Sequence, residues 1–327
     1  MEKEHEELLL STPLSGVIGR IPNKILEYGD FVTLYGGYEQ MCVATLEEGR
    51  VSSFKMGNFR HSDIVGKRVG TKIYDSKTSR WVAVLHPTAE LITLSVPHHT
   101  QILYHADISV ILMLLNAIPG KFIVESGTGS GSLSTSIARA IAPSGHLYTY
   151  DCHDERCKRA RNAFESYGLN QITSVFQRNV CLHGFGEQLE GKIDAIFLDL
   201  PTPWSAAKQS KLILKPRGFL VNFSPCIEQV QKLNTELKQL NFLCIRTWEV
   251  LCKPWGMTVE CANNGEEYSA EISKNESYER SAGDSIEEND TFSLPLNVPR
   301  RYAQYQLPMK PHTGYLSFAM NSSGEEE

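Results

Sequence analysis

The chain predicts an α/β protein whose main body is a doubly wound sheet, preceded by a small N-terminal β-barrel-like domain. Three features carry this. From residue 122 to 251, strand-like apolar runs alternate with helical ones, the order a sheet covered on both faces requires. Within that region Phe122-Ile123-Val124-Glu125-Ser126 runs straight into Gly127-Thr128-Gly129-Ser130-Gly131-Ser132. Three alternating glycines let the backbone turn sharply and approach a ligand closely, because none carries a Cβ. The first hundred residues, by contrast, hold only short β-prone runs separated by turns, the pattern of a small antiparallel barrel or sandwich.

Those early runs are Phe31 to Tyr35, Met41 to Leu46, Gly49 to Met56, Thr71 to Tyr74, Trp81 to Leu85 and Leu91 to Leu94. Residues 100–118 read as a helix with Pro119-Gly120 as its stop. After the glycines come a helix over Ser132 to Ile141 and a strand from His146 to Asp151. A helix from Asp154 to Tyr167 and a strand from Ile172 to Gln177 follow. Further strands are expected at Ala195 to Leu200, Gly218 to Phe223, Cys244 to Val250 and Thr313 to Ala319, which makes seven in the sheet. Helices should cover Trp204 to Leu214 and Cys226 to Leu240, the latter burying Ile227, Val230, Leu233, Leu237 and Leu240. Ser224-Pro225 reads as its cap and first residue.

The expected organisation is an extension over 1–25, the β domain over 26–96 and the α/β domain over 97–261. A polar, acidic insertion follows at 262–298, too poor in large apolar groups to offset ordering entropy. Residues 299–320 should supply the closing strand, and 321–327 an acidic tail.

With 327 residues, 41% of them hydrophobic and 9% aromatic, the chain can bury a proper core. Its acidic N-terminus predicts no secretory or organellar presequence, and no apolar run is long enough to span a bilayer. Eight cysteines include no C-x-x-C pair. Reduced thiols are expected, and the spacing argues against zinc. The net charge of −6 is uneven: residues 260–290 contribute −8, and residues 1–7 and 325–327 contribute −3 each, which leaves +8 on the rest. Such a body can attract phosphates. Arg156, Lys158, Arg159 and Arg161 add a basic helix face, read first as a solvated surface face and second as a phosphate contact.

The glycine turn is a cofactor-pocket signature. A dinucleotide fingerprint would place its third glycine where this chain has Ser132. The pattern acid-x-G-x-G-x-G instead resembles motif I of Rossmann-like class I S-adenosylmethionine-dependent methyltransferases. That resemblance assigns Glu125 to the cofactor's ammonium group and Gly127, Gly129, Ser130, Gly131 and Ser132 to its cradle. Asp151, at the end of the second strand, suits a ribose diol. Asn179, beyond the third, offers an amide oxygen to the adenine amine beside the Val180 N–H. Arg156 sits one turn further along the helix and faces either the cofactor or water.

At the end of the fourth strand stands Asp199-Leu200-Pro201-Thr202-Pro203-Trp204, where doubly wound folds line their ligand crevice. Enzymes that methylate exocyclic amines share an Asn/Asp-Pro-Pro-aromatic motif here. This chain departs from it by separating the prolines. A carboxylate suits methylation of an endocyclic nitrogen such as adenine N1, which creates a cation shared with the exocyclic amine. A helix cap is the alternative for Asp199. Trp204 stacks on a base or packs against the prolines.

Pro97 to Tyr104, Glu125 to Ser132, Phe197 to Trp204, Phe223 to Gln231 and His312 to Leu316 together resemble the family of eukaryotic tRNA adenine-58 N1-methyltransferase catalytic subunits. The resemblance spans about residues 26–252 and 311–319. It implies methyl transfer from S-adenosylmethionine, with Leu103, Ser130, Gly131, Asp151, Arg156, Asn179 and Val180 on the cofactor and Asp199 catalytic. Relatives carry aspartate at the position of Asn179. Substrate contacts are implied at Gln101, Ile102, Leu103 and Tyr104, at Ser224, Pro225 and Gln229, and at Thr313 and Gly314, with Trp204 beside them. It further implies a tRNA substrate, a nuclear location and a non-catalytic paralogous subunit in a two-plus-two heterotetramer, with neither metal nor membrane. Rival readings are a methyltransferase of another RNA, protein or small molecule, and a non-catalytic RNA-binding paralogue.

Overall fold

The computed structural model describes residues 24–37, 40–75, 77–95, 103–251, 255–260, 300–305 and 313–322. Gln101, Ile102 and the acidic stretch 262–298 lie outside the described residues, as do 1–23 and 323–327. The chain forms two units, one of residues 1–250 with 313–327 and the other of residues 251–312.

In the first unit, β1 (Phe31–Tyr35), β2 (Met41–Thr45), β5 (Lys72–Tyr74) and β6 (Trp81–Leu85) pair antiparallel in the order β2-β1-β6-β5. The expected run 49–56 holds one strand, β3 (Val51–Phe54), which forms a hairpin with β4 (Gly57–Arg60), a strand beyond that run. Gly57 makes that turn at φ +140°, where a side chain is rarely tolerated. Alternate residues Val32, Leu34, Val82 and Val84 point into one core with Phe59 and Ile64, the period of a one-sided sheet. Leu91 to Leu94 is not a strand. It lies in α1 (Ala89–Ser95), because Thr88 Oγ1 accepts the Leu91 N–H at 3.2 Å and Ala89, Ile92 and Thr93 fall on one buried helical face.

The helix expected over 100–118 is described as α2 (His105–Leu114). The large sheet then builds from β7 (Phe122–Ser126), β8 (His146–Asp151), β9 (Thr173–Gln177), β10 (Ile193–Leu198), β11 (Leu214–Ser224), β12 (Leu243–Glu249) and β15 (Tyr315–Met320), in the order β12-β15-β11-β10-β7-β8-β9. Its pairs from β11 to β9 are parallel, and β15 runs antiparallel between β11 and β12. Between them run α3 (Ser132–Ile141), α4 (Asp154–Ser166), the short α5 (Val180–His183), α6 (Trp204–Ile213) and α7 (Ile227–Gln239). The inner strands read as unbroken apolar runs because both faces are covered: Ala195, Ile196, Phe197 and Leu198 of β10 are all buried. On α7 the apolar stripe buries Val230, Leu233 and Leu237, whereas Ile227 is 42% exposed.

The order reverses between β7 and β10. β8 lies on the outer side of β7, and β10 and β11 lie on the other. A crevice opens at such a switch point, at the carboxyl ends of the strands. Asp199 is therefore just outside the ladder, one residue past β10 rather than within the strand.

The second unit contains an antiparallel hairpin, β13 (Trp255–Glu260) with β14 (Arg300–Tyr305), in which Trp255 pairs with Tyr305 and Glu260 with Arg300. Residues 255–260 and 300–305, expected in the α/β domain and the closing segment, thus pair with each other. The closing strand is β15 alone.

Candidate active site

A cavity of about 450 Å³ occupies the switch point, in the size range of small-molecule sites. Glu125, Gly127, Gly129, Ser130 and Ser132 line it from the β7 turn, Asp151 and Arg156 from the end of β8 and α4. Asp199, Pro225, Gln229 and Leu103 also reach it. Thr128, Leu133, Phe197, Leu200 and Pro201 line it too and were not singled out from sequence. Only their place within the two motifs, or for Leu133 next to one, could have flagged them.

The glycines are required by approach as much as by torsion. Gly127 sits at φ +103°, and a Cβ there would stand 2.4 Å from the Asp199 carbonyl oxygen, so the β7 and β10 ends cross with no room for a side chain. Gly131, at φ +77°, starts α3 against the Phe164 ring, 3.1 Å from a built Cβ. It supports the turn without lining the cavity. Small hydroxyl residues then seat α3 closely. Ser134 donates to Glu125, Thr135 Oγ1 to the Gly131 carbonyl at 2.7 Å, and Ser132 Oγ pairs with Thr93 Oγ1 of α1 at 2.7 Å.

Three carboxylates face this space in different settings. Glu125 is 1% exposed and accepts hydrogen bonds from Ser134 Oγ and, at 2.6 Å, from Thr149 Oγ1. Burial pushes its pKa up to about 7, the two hydroxyls oppose that, and nearby Asp199 and Asp151 add to it. Asp151 is fixed by backbone: Gly129 N–H donates to Oδ2 at 3.2 Å and His153 N–H to Oδ1 at 2.9 Å. Arg156 Nη1 stands 3.8 Å from Oδ2. The Asp199 side chain opens to the cavity and keeps solvent-accessible area. The surrounding walls still crowd out enough bulk water to raise its pKa to about 6 through desolvation. Three acids against one guanidinium make the cavity acidic.

Other expected positions lie elsewhere. Asn179 caps α5 through Oδ1, which accepts the Cys181 N–H at 3.1 Å, and Val180 is buried in the core. Neither lines the cavity, because the strand end commits the amide to the helix start. Tyr104 is the exposed N-terminal flank of α2. Trp204 packs on the core with Lys232 Nζ 5.1 Å from its ring centre. Ser224 does not cap α7. Its Oγ donates to Asn222 Oδ1 at 2.8 Å, while Cys226 is the cap residue and donates its N–H to Gln229 Oε1 at 3.3 Å. Thr313 Oγ1 donates to both Asp107 oxygens at 2.8 Å, and Gly314 packs where a Cβ would meet the Phe223 ring at 2.6 Å. On the basic face of α4, Lys158 pairs with Asp154 at 2.7 Å and Arg161 Nη2 donates to the Val175 carbonyl at 2.9 Å.

Asp151, Cys152 and His153 bring ligand-type atoms within 4.8 Å of one another, but both Asp151 oxygens already serve backbone N–H groups. Among the described residues no helix is long and apolar enough to cross a membrane.

Residues 80–321 match the family described as tRNA methyltransferase complex GCD14 subunit. The chain belongs to this family. A relative from Dictyostelium discoideum, named tRNA (adenine(58)-N(1))-methyltransferase catalytic subunit, is 44% identical over 71% of this chain and 75% of its own length. A Candida albicans relative of the same name is 32% identical over 90% of this chain and 96% of its own. A Cryptococcus neoformans relative, 40% identical over 70% of this chain, is covered over 53% of its length. Among solved structures, a SAM-dependent O-methyltransferase from Thermotoga maritima superposes with TM-score 0.70 at 25% identity, over 93% of this chain and 97% of that one. A tRNA (m1A58) methyltransferase from Aquifex aeolicus gives 0.64 at 22% identity, over 92% and 100%, a likeness of fold. The cavity therefore sits in a methyltransferase fold.

Proposed function

We propose that this chain is the catalytic subunit of a tRNA methyltransferase that transfers the methyl group of S-adenosylmethionine to N1 of adenine 58 in the T-loop. The observation that carries it is Asp199: a carboxylate one residue beyond β10, opening into a cavity walled by the glycine turn. Its neighbours suit the cofactor. Glu125 answers an ammonium group, the glycine turn admits a close backbone approach, and Asp151, oriented by two N–H groups, keeps lone pairs for a ribose diol. When bound, S-adenosylmethionine supplies an electrophilic methyl group on a sulfonium.

Asp199 accepts a hydrogen bond from the adenine exocyclic amine. As N1 gains the methyl group, positive charge spreads to that amine, and the fixed carboxylate stabilises it more strongly in the transition state than in the ground state. Leu103, Phe197, Leu200, Pro201 and Pro225 supply apolar walls that limit water and strengthen this interaction. The names of the relatives support tRNA as substrate. A non-catalytic paralogue completing a two-plus-two heterotetramer, and residence in the nucleus, belong to the same proposal.

The test incubates the chain, with its paralogue, with methyl-labelled S-adenosylmethionine and separate tRNA, protein and metabolite pools. Label at adenine 58 is expected. Label confined to another pool supports the reading suggested by the O-methyltransferase neighbour, and failure to bind S-adenosylmethionine in calorimetry supports a silent paralogue.

A further inference from the structure

Asn222 is a buried amide inside the apolar run Leu220-Val221-Asn222-Phe223, with no accessible surface. Packing alone would favour an apolar residue there, since a buried amide is tolerated only when its polar atoms are bonded. Its bonds are specific. Nδ2 donates to the Leu198 carbonyl at 2.9 Å and to the Phe223 carbonyl at 3.0 Å, and Oδ1 accepts from Ser224 Oγ. Leu198 faces Asn222 in the last pair of the β10–β11 register, and its carbonyl belongs to the peptide that leads into Asp199. The N–H of that same peptide donates to the Ser126 carbonyl at 2.8 Å. Both ends of one peptide are thereby pinned immediately before Asp199.

On the far side, Gln229 Nε2 donates to the Pro201 carbonyl at 3.0 Å, while its Oε1 accepts the Cys226 N–H at the start of α7. The side chain is thus tethered at both ends of its amide. Between the two pinned peptides stand Asp199, Leu200 and Pro201, the last with its φ fixed by the ring. Gly127 lies directly under Asp199.

We propose that Asn222 and Gln229 are positioning residues, two side-chain amides that hold the peptides before and after Asp199 and so fix where its carboxylate stands against the acceptor base. The inference rests on the role given to Asp199 above and adds how that role is kept accurate. A misplacement of about 1 Å at a reacting group is enough to cost on the order of 10²-fold in rate. Gln229, expected from the resemblance to touch substrate, acts here through the loop.

The test uses the wild-type complex with tRNA and measures Gln229→Ala, Asn222→Asp and each in an Asp199→Ala background, by single turnover and by calorimetry with S-adenosylmethionine. Gln229→Ala is expected to lower kcat about 10- to 100-fold. KM for tRNA and cofactor affinity should stay within about twofold, with no further loss where Asp199 is already alanine. Asn222→Asp keeps the shape but replaces an amide that serves two carbonyls with a carboxyl that can donate at most one bond, so kcat should fall likewise. If that variant does not fold, Gln229→Ala alone decides. A raised KM with unchanged kcat, or an equal loss in the Asp199→Ala background, overturns the proposal. Should the wild-type complex leave tRNA unlabelled, the acceptor reading has failed, and positioning is scored on the carboxyl ¹³C titration of Asp199 in the full-length chain. A midpoint moved by Gln229→Ala supports it, and an unmoved midpoint overturns it.

Discussion

The ends of β7 and β10 lie side by side in the sheet, each bringing an acid to the same cavity, Glu125 from within its strand and Asp199 from just beyond its own, and they treat that acid in opposite ways. Glu125 is sealed in and given two hydroxyl donors. Asp199 receives no side-chain hydrogen bond among the described residues, and only desolvation moves its pKa. The first setting suits a group that holds a ligand in place. The second leaves a carboxylate whose hydrogen-bonding capacity is kept for whatever enters. Placement on neighbouring strands brings both to one cavity without asking either to do the other's work.

Five experiments break or sharpen this contrast. The largest effect is expected at Asp199: alanine should lower single-turnover methylation about 10²- to 10⁴-fold while calorimetric affinity for S-adenosylmethionine stays within a few-fold. Full turnover by that variant ends the proposed role. In the wild type the ionised form is required, so kcat/KM should fall about tenfold per pH unit below the free-enzyme pKa of about 6.

Next comes the crossing of the two strand ends. Gly127→Ala places a Cβ 2.4 Å from the Asp199 carbonyl at φ +103°. Thermal unfolding should show a loss of at least about 1–3 kcal/mol from backbone strain, together with reduced cofactor binding. A variant with wild-type stability and affinity would mean the two ends are not locked together.

Glu125→Gln probes the sealed acid. Its folded-state pKa, about 7, lies above the ordinary 4.5, so between those values the folded chain holds a proton that the unfolded chain has released. Wild-type stability therefore declines as pH rises through that window and levels off above it. The melting temperature of Glu125→Gln relative to wild type should rise from pH 5 to pH 8, whereas its cofactor affinity falls. A difference independent of pH would remove the buried-acid account.

The smallest effect is expected at Asn179, whose amide caps α5. Alanine should cost about 1 kcal/mol of stability and change cofactor affinity less than threefold. A tenfold loss of binding would return this residue to the cofactor.

Much of the fold was legible from periodicity and punctuation. The bounds of Phe31–Tyr35, Trp81–Leu85, Phe122–Ser126, Ser132–Ile141 and His146–Asp151 match the expected runs, because apolar period and glycine turns are local signals. Leu91 to Leu94 misled because a four-residue apolar run fits a strand or one buried helix face equally, and the deciding Thr88 cap lies outside it. At Ser224-Pro225 the local cap signal was real in type and wrong in place. The serine hydroxyl is taken by Asn222, two residues earlier on β11, a competitor the cap pattern itself does not include.

The sequence by itself determined the alternating architecture, the glycine turn and the presence of an acid after the fourth strand of the sheet, since each depends on neighbours within a few residues. Only the tertiary structure decided which acid is sealed and which is open, and that Asn222 and Gln229 grip the loop carrying Asp199. Those outcomes depend on partners up to about thirty residues away along the chain, brought together by strand order, and burial and hydrogen-bond competition are properties of that assembly.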